Sequence, residues 1–321
     1  MPVHPNIVFL DFETTSKGDL DISALQALGA LKTYPVSEGD EIIERSEGVE
    51  IIICNKTRIT KEVLSALPRL KYIVVAATGY NNIDLDAAKA RGVKVSNVRG
   101  YSTTSVVQHV YAMLLAYLNQ SQTYFNETNK GKWSNNPYFA YWNSPIEELA
   151  GKAIGILGFG TIGQAVARVA LTFGMKVIAT HRHPERDQAQ DVRFVEWETL
   201  CRESDVLTLH APLNSSTMHI INSQSLSMMN SSAILINTAR GGLIDEQALA
   251  DALERNQIQA ALLDVLSEEP PHIDHPLIGL PNCMITPHQA WASRQARQRL
   301  VDGIVVNIKK YLGGRHVNVV C

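Results

Sequence analysis

The chain has 321 residues, of which 45% are apolar and 19% charged, with a net charge of −3. A chain of this length and composition can bury a large core and predicts about two domains. The small net charge, without any basic run, argues against nucleic acid or an anionic membrane surface as a partner and favours a small-molecule ligand. The uncharged stretch at 110–118 holds only nine consecutive apolar residues, against the ~20 that span a bilayer, and predicts a buried helix.

The N-terminal residues and the cysteines favour a cytoplasmic protein. The chain runs directly into a strand-like segment, NIVFLD, without a basic lead or an apolar signal region. The cysteines lie far apart without a C-x-x-C pair, which indicates reduced structural thiols rather than a disulfide framework or a zinc site. They are Cys54, Cys201, Cys283 and Cys321.

Short β-branched runs alternate with helical patterns in the first hundred residues. The runs NIVFLD, VEIIICN, YIVVAAT and VKVSNV predict strands, and segments such as DLDAAKARG between them predict helices. This alternation predicts parallel βαβ units.

The pattern changes at Ser102, where hydroxyl residues suited to capping open a predicted helix of nearly 30 residues. We interpret this helix as the bridge between two domains. A second βαβ series follows, and a closing helix is predicted from about Trp291 to Leu312. Its strands are predicted near 153–158, 175–181, 206–210, 233–237, 260–264 and 283–286.

The segment AIGILGFGTIGQAVARVALTFG combines an apolar strand, a G-x-G-x-x-G motif and an amphipathic helix. Gly158 permits a tight turn, Gly160 lets the backbone approach a pyrophosphate, and Gly163 lets helix and strand pack closely. The start of the helix supplies amide donors and a favourable dipole. The motif in this context predicts a dinucleotide cofactor.

The next strand end decides which nicotinamide cofactor is expected. An acidic residue that binds the adenosine ribose normally lies about 20 residues beyond the motif. Here the strand ends in Thr180, His181 and Arg182, which could hold a 2′-phosphate by charge-assisted hydrogen bonds. The sequence therefore favours NADPH over NADH, the alternative being a solvated turn that tolerates either. His181 and His183 lack a third ligand and do not predict a metal site.

Three later strand ends carry side chains suited to acid-base chemistry on a carboxylate-bearing substrate. Arg240 follows one strand, Asp264 another, and His288 a third, with Glu268 and Glu269 in the loop before His288. The guanidinium plane suits a bidentate grip on a carboxylate, and carboxyl strand ends face the ligand crevice in parallel sheets. Taken singly, each could equally be a structural or surface residue. His272 and His275, on a proline-flanked loop, are predicted to be surface residues.

At these residues the sequence closely resembles the D-isomer-specific 2-hydroxyacid dehydrogenases, and among them the glycerate dehydrogenase or hydroxypyruvate/glyoxylate reductase branch. The resemblance runs nearly end to end and includes an N-terminal block, ATGYNNIDLDAAKARGVKVSNVRGYSTTSVVQH. It continues through GILGFGTIG, LHAPLNSST, NTARGGLIDEQAL, DVLSEEPP and TPHQAWAS, which fall in the family's order.

The resemblance implies a role for each candidate residue. Arg240 would hold the substrate carboxylate, His288 would be the acid/base, and Glu269 its acidic partner. The backbone around Thr78 and Gly79 would cradle the carboxylate, and Asp264 would lie at the nicotinamide carboxamide. The implied cofactor-binding residues are Gly158, Phe159, Gly160, Thr161, Ile162, Gly163, Thr180, His181, Arg182, His210, Ala211, Pro212, Thr238, Ala239, Asp264 and His288.

The resemblance also implies an α/β fold in which a doubly wound Rossmann cofactor domain is inserted into a smaller flavodoxin-like substrate domain. The cofactor domain would cover 101–289, and the substrate domain 1–100 and 290–321, with substrate bound between them in a homodimer. In related reductases a tryptophan of the region 133–143 reaches the partner's substrate cleft. Trp142 or Trp133 could do the same here, the alternative being ordinary packing in a dimer interface.

Some residues depart from the family pattern. Arg99 stands where proline is usual, Gln108 where a small or acidic residue is common, and Trp291 where many glyoxylate reductases have serine. Arg99 and Gln108 lie near the implied hinge and bear on domain closure rather than on chemistry. Trp291, which the glycerate dehydrogenase branch shares, bears on substrate preference rather than on reaction class. A phosphoglycerate dehydrogenase and a non-catalytic dinucleotide sensor of the C-terminal-binding-protein type stay open as alternatives. A formate dehydrogenase would carry glutamine in place of Glu269.

Overall fold

The computed structural model describes residues 5–183, 185, 187 and 189–321. The chain divides into two compact units, one formed by the residues up to 102 with 291–321, the other by 103–290. The sequence predicted divisions after residues 100 and 289. Substrate binding by the first unit stays a prediction.

The first unit contains a parallel sheet with the strand order β2-β1-β3-β4-β5, which is the flavodoxin-like order. Its strands are β1 (Asn6–Phe9), β2 (Ala30–Thr33), β3 (Ile51–Cys54), β4 (Tyr72–Val75) and β5 (Lys94–Asn97). Its helices are α1 (Ser23–Gln26), α2 (Glu41–Arg45), α3 (Lys61–Ala66), α4 (Leu85–Ala90) and α11 (Arg294–Leu312). The closing helix begins three residues later than predicted, because the Ser293 side chain caps the Ala296 amide at 3.2 Å.

The second unit contains a parallel sheet with the order β12-β11-β10-β9-β6-β7-β8. Its strands are β6 (Ala153–Leu157), β7 (Lys176–Thr180), β8 (Val192–Phe194), β9 (Val206–Leu209), β10 (Ile234–Asn237), β11 (Ala260–Leu263) and β12 (Cys283–Ile285). The order reverses between β6 and β9. In doubly wound sheets, ligands bind at the carboxyl ends of the strands beside such a reversal.

The helices of the second unit are α5 (Thr103–Asn119), α6 (Ser121–Asn129), α7 (Thr161–Thr172), α8 (Trp197–Glu203), α9 (Ser223–Met228) and α10 (Glu246–Glu254). The prediction of one helix of nearly 30 residues was wrong. Gln120 has a left-handed backbone, with φ of 48°, and separates α5 from α6. Buried packing ends at Leu118, and α6 buries none of its residues, so nothing forces the two segments into one straight helix.

Each sheet has a hydrophobic cluster on both faces, as expected for a sheet covered by helices on both sides. In β10, Ile234 and Ile236 belong to one cluster, and Leu235 between them belongs to the other. This alternation follows from the period of two residues along a strand. Burial on both faces also explains why the predicted strands are continuous apolar runs.

Candidate functional site

The turn between β6 and α7 is built by glycines whose constraints differ. Gly158 has φ of 92°, and a Cβ on it would lie 2.8 Å from the backbone of His210 and Ala211. A Cβ on Gly163 would collide with the carbonyl oxygen of Gly158. At Gly160, by contrast, a Cβ would meet no atom within 4 Å. Gly158 and Gly163 are thus required by the protein's own packing. Gly160 borders open space beside the first turn of α7.

The end of β7 carries a hydrogen-bonded chain that sequence reasoning did not foresee. The Phe159 amide donates to His181 Nδ1 at 3.2 Å, and His181 Nε2 lies 2.7 Å from the Asp187 carboxylate. Because Nδ1 accepts a hydrogen bond, the proton of a neutral ring is on Nε2, which donates to Asp187. Thr180 bonds the Val195 carbonyl at 2.6 Å, and Arg182 is exposed. A carboxylate therefore does lie beside this strand end, although it comes from Asp187.

The predicted cofactor residues in the turn after β9 differ in burial. His210 bonds the Thr208 hydroxyl at 2.9 Å, and burial lowers its pKa to about 4. The side chain is therefore uncharged at neutral pH. Ala211 is buried, and Pro212 is exposed.

Asn237 shapes the turn after β10 that carries Thr238, Ala239 and Arg240. Its buried side chain accepts from the Ala239 amide at 2.9 Å and donates to the Arg240 carbonyl at 2.8 Å. Arg240 is partly buried and donates to the Ala239 carbonyl at 2.7 Å. The buried Thr238 hydroxyl has no hydrogen-bond partner among the described residues. The hydroxyls of Thr15, Ser46 and Ser144 are unpaired in the same way, so the missing partner does not by itself mark a ligand site.

His288 and Glu269 are in direct contact. His288 Nδ1 lies 2.6 Å from Glu269 Oε2, and the other carboxylate oxygen accepts from the Leu266 amide at 3.1 Å. The neighbouring Glu268 is exposed. A carboxylate at this distance fixes the orientation of the ring.

Asp264 holds the backbone on both sides of His288. The Asp264 carbonyl accepts from the His288 amide at 2.8 Å, and its carboxylate accepts from the amides of Gln289 and Ala290 at 2.9 and 2.8 Å. His288 has φ of 50°, a left-handed conformation that costs a non-glycine residue about 1 kcal/mol or more. These hydrogen bonds fix that conformation at the residue predicted to transfer protons.

The Asp264 carboxylate is also bonded by side chains. The Thr286 hydroxyl donates to it at 2.6 Å, and His109 Nε2 lies 3.3 Å away and 2.9 Å from the Thr286 hydroxyl. Burial acts to raise the pKa of Asp264, but these hydrogen bonds and those from the two amides outweigh it and lower the pKa. Sequence reasoning missed His109 and Thr286, because neither differs visibly from any other helix or strand-end residue.

The loop between Glu269 and His288 contains two histidines with different surroundings. The prediction that both are surface residues was wrong for His275, whose side chain is only 10% exposed and lies 3.2 Å from Glu246. The His272 side chain is 74% exposed. The proline-flanked sequence gave no signal of this difference, since the bond to Glu246 joins distant segments.

The remaining predicted residues belong to the first unit or to the segment 133–143. Thr78 follows β4 in the first unit; its hydroxyl donates to the Val98 carbonyl at 3.2 Å, and its carbonyl accepts from Asn97 Nδ2 at 2.6 Å. Gly79 is partly exposed. Trp142 and Trp133 are 69% and 51% exposed.

Among the described residues, no group of three or more His, Cys, Asp or Glu side chains is arranged to hold a metal ion. No helix in the same part of the chain is long and apolar enough to cross a bilayer.

Residues 111–290 match the model of the D-isomer specific 2-hydroxyacid dehydrogenase NAD binding domain. The chain is also 40% identical to a hydroxypyruvate reductase of Blautia hydrogenotrophica, over 98% of this chain and 99% of the relative. The chain belongs to the D-isomer-specific 2-hydroxyacid dehydrogenase family. A glycerate dehydrogenase of Methylorubrum extorquens, another relative, is 40% identical over 98% of both chains.

Solved structures support the same fold for this 2-hydroxyacid dehydrogenase. An acyclic imino acid reductase in complex with NADPH and D-Arg matches with a TM-score of 0.87 and 34% identity, over 98% of this chain and 100% of that one. A glyoxylate reductase from Paecilomyes thermophila matches with a TM-score of 0.83 and 28% identity, over 100% and 99% of the chains. The predictions of the family and of the doubly wound α/β fold are confirmed.

The departures of this 2-hydroxyacid dehydrogenase from the family pattern have defined surroundings. Arg99 donates to Asn97 Oδ1 at 3.2 Å, and Asn97 in turn holds the Thr78 carbonyl. Gln108 is exposed. Trp291 packs edge-on against Tyr101, with ring centroids 6.3 Å apart.

Proposed function

We propose that the protein reduces hydroxypyruvate and glyoxylate, two small 2-oxo acids, to D-glycerate and glycolate, and catalyses the reverse oxidations. The contact of 2.6 Å between His288 and Glu269 carries this proposal, because carbonyl reduction requires a proton donor of this kind. The names of the relatives, hydroxypyruvate reductase and glycerate dehydrogenase, support the substrate class.

In the proposed reaction, His288 donates a proton to the substrate oxygen as negative charge develops there. The neighbouring Glu269 carboxylate stabilises the charged imidazole before transfer and keeps the ring oriented. In the oxidation direction, neutral His288 removes the hydroxyl proton of the substrate.

Arg240 binds the substrate carboxylate in this proposal. Its planar guanidinium provides paired donors, and its positive charge polarises the adjacent carbonyl group. The turn held by Asn237 fixes the backbone of Arg240, so that the side chain starts from a defined position. A contribution of the Thr78 and Gly79 backbone to carboxylate binding stays a prediction.

The cofactor residues fit a dinucleotide. The open space at Gly160 and the start of α7 suit a pyrophosphate, and the unsatisfied hydroxyl of Thr238 offers a polar partner. The uncharged His210 and the turn of Ala211 and Pro212 would line the same part of the sheet. When bound, the reduced nicotinamide supplies the hydride, and the protein supplies binding, orientation and the proton.

We further propose that NADPH is preferred over NADH. Exposed Arg182, with Thr180 and His181 beside it, offers a positive charge for a 2′-phosphate. Asp187 acts in the opposite direction, because a carboxylate repels the phosphate and suits ribose hydroxyls. Its contact with His181 engages that carboxylate, whereas Arg182 is exposed.

A homodimer in the cytoplasm completes the proposal, with Trp142 as a candidate contributor to the partner's substrate site. The sensor alternative predicts cofactor binding without turnover. The phosphoglycerate dehydrogenase alternative predicts preference for a phosphorylated substrate. A Methanocaldococcus jannaschii relative of that name is 34% identical, over 91% of this chain and 55% of the relative.

A substrate panel with both cofactors tests the proposal. Purified protein should reduce hydroxypyruvate and glyoxylate faster than pyruvate, 3-phosphohydroxypyruvate, non-acid aldehydes or an imino acid. Arg240→Ala should lower kcat/KM for the acids. The loss should correspond to about 2–3 kcal/mol of activation free energy, since the substitution removes a charge-assisted pair. Equal rates on acids and non-acid aldehydes, or an unchanged kcat/KM in Arg240→Ala, would remove Arg240 from the site. Binding of cofactor without turnover of any 2-oxo acid would support the sensor instead.

A further inference from the structure

A single carboxylate fastens the loop that carries Glu269 at two points. Glu246, the first residue of α10, accepts from the Ser267 amide at 2.8 Å and also bonds the Ser267 hydroxyl. The same carboxylate lies 3.2 Å from His275 Nε2. The side chains of Glu246 and His275 are only 14% and 10% exposed.

The two attachment points enclose Glu269. Ser267 lies two residues before it and His275 six residues after it, whereas the loop residues between them are mostly exposed. His275 also accepts from the Leu277 amide at 3.3 Å through Nδ1, so its proton is on Nε2 and points to Glu246. Glu246 therefore provides side-chain anchoring on both sides of Glu269.

The start of the loop is also fixed through backbone packing. A Cβ on Gly241 would collide with the backbone of Leu266 and Ser267, so the turn after Arg240 packs directly on the start of the loop. Leu266 in turn donates its amide to Glu269. Glu246 lies on the segment that follows Gly241 and thus ties the Arg240 turn to the Glu269 loop.

We propose that Glu246 and His275 are positioning residues that hold Glu269 against His288. This inference rests on the proposed function, in which Glu269 stabilises the charged form of His288. The contact of 2.6 Å requires the carboxylate to be placed within a fraction of an ångström, and an exposed loop without side-chain anchors would not hold it there. Neither Glu246 nor His275 touches the reacting atoms in this proposal; both act through Glu269.

The test compares the pH dependence of 2-oxo acid reduction in Glu246→Gln, His275→Ala and Glu269→Gln. Weakening the contact with His288 destabilises the imidazolium, so the midpoint at which kcat/KM falls should move to lower pH in all three. A shift of one pH unit corresponds to about a tenfold loss on the alkaline side, and we expect roughly three- to tenfold losses for Glu246→Gln and His275→Ala. Their KM for cofactor should stay at the wild-type value.

The double variant Glu246→Gln/Glu269→Gln separates positioning from an independent role. If Glu246 acts through Glu269, the double variant has the same midpoint as Glu269→Gln alone; additive shifts would overturn the proposal. Ser267→Ala removes the hydroxyl hydrogen bond to Glu246 but keeps that of the Ser267 amide, so it weakens one attachment and provides the same comparison if Glu246→Gln does not fold.

Matched controls come from the same two elements. His272→Ala changes the exposed histidine of the loop, and Glu254→Gln changes an exposed glutamate of α10; both should keep the wild-type profile. A wild-type profile in Glu269→Gln would contradict the proposed function itself. A shift in Glu269→Gln but in neither Glu246→Gln nor His275→Ala would contradict only this inference.

Discussion

The pair formed by His288 and Glu269 makes the direction of the reaction sensitive to pH. Reduction needs the imidazolium and should decline as pH rises, whereas oxidation needs the neutral ring and should increase over the same range. Glu269→Gln removes the charge that stabilises the imidazolium, so both transitions should move to lower pH. Initial rates in both directions across pH 5 to 10 measure this.

Glu268→Gln is the matched control for that measurement, because Glu268 is the exposed neighbour on the same loop. Its profile should coincide with that of the wild type. Identical profiles for Glu269→Gln and the wild type would show that the contact does not govern proton transfer.

Arg182 gives a second prediction at the scale of single residues. The kcat/KM with NADPH should exceed that with NADH, and added salt should reduce the difference because exposed charges are screened. Arg182→Ala should weaken the binding of NADPH by about 1–3 kcal/mol and leave the binding of NADH nearly unchanged. Steady-state kinetics with both reduced cofactors at one ionic strength measure these differences.

The neighbours of Arg182 provide the controls. Asp187→Asn should raise kcat/KM with NADPH, because it removes a carboxylate near the strand end. His181→Asp should turn the preference towards NADH. Arg202→Ala changes an exposed arginine of α8 and should leave kcat/KM with both cofactors at the wild-type value. A wild-type preference for NADH would mean that Asp187, rather than Arg182, governs the choice.

Sequence reasoning about single residues identified the packing roles of Gly158 and Gly163 from a motif, and it failed where a contact joins distant segments. The glycines of the β6–α7 turn follow from their spacing and context. Glu269 was distinguished from Glu268 only by the resemblance to a family. Asp187 was missed because its spacing from β7 is longer than the usual one, and the loop has to turn back before the carboxylate meets His181.

At the scale of elements, the sequence predicted the strands whose burial gives them a continuous apolar run. The strands that it missed, β2 and β8, are both edge strands. The residues of β2 and β8 are exposed or partly exposed, so these strands lack the apolar runs that mark central strands. The break at Gln120 was missed for a related reason, since helical propensity continues where packing stops.

The junction between β11, β12 and the residues after His288 depends on Asp264. Asp264→Asn places a donor against the Gln289 and Ala290 amides, so it should destabilise the fold by about 1–3 kcal/mol and reduce kcat. The pKa of this carboxyl is lowered in the folded protein, so its stabilising contribution is present above its unfolded pKa and is lost as pH falls through the folded value. The difference from wild type should be constant from pH 7 to 5 and shrink below about pH 4.

Urea denaturation at several pH values measures this contribution. Asp274→Asn is the control, because its side chain is 85% exposed. A difference between wild type and Asp264→Asn that grows as pH falls below 4 would contradict the assigned hydrogen bonds.

At the scale of the whole molecule, the segment 133–143 exposes an apolar surface that a monomer would leave in water. Phe139 is 94% exposed, Tyr138 73% and Trp142 69%. The segment is nevertheless held in shape, because Glu127 bonds Tyr141 at 3.0 Å and also Asn143. Exposed aromatic side chains clustered in one segment are typical of a protein–protein interface, and a second copy of the chain is the proposed occupant.

The chain should therefore be a dimer in solution, and two residues of the segment should have separable effects. Phe139→Ser removes the most exposed aromatic side chain and should weaken dimerisation at least tenfold, since burying such a ring contributes about 1.5–3 kcal/mol. Trp142→Ala should stay dimeric but raise KM for 2-oxo acids, because Trp142 is proposed to contribute to the partner's substrate site. Light scattering over a concentration series measures the association, and kinetics on several 2-oxo acids measure the selection. A dimeric Trp142→Ala with wild-type kinetics on every acid would mean that the tryptophan only packs in the interface. A monomeric wild-type protein would contradict both the dimer and the role of Trp142 in the partner's substrate site.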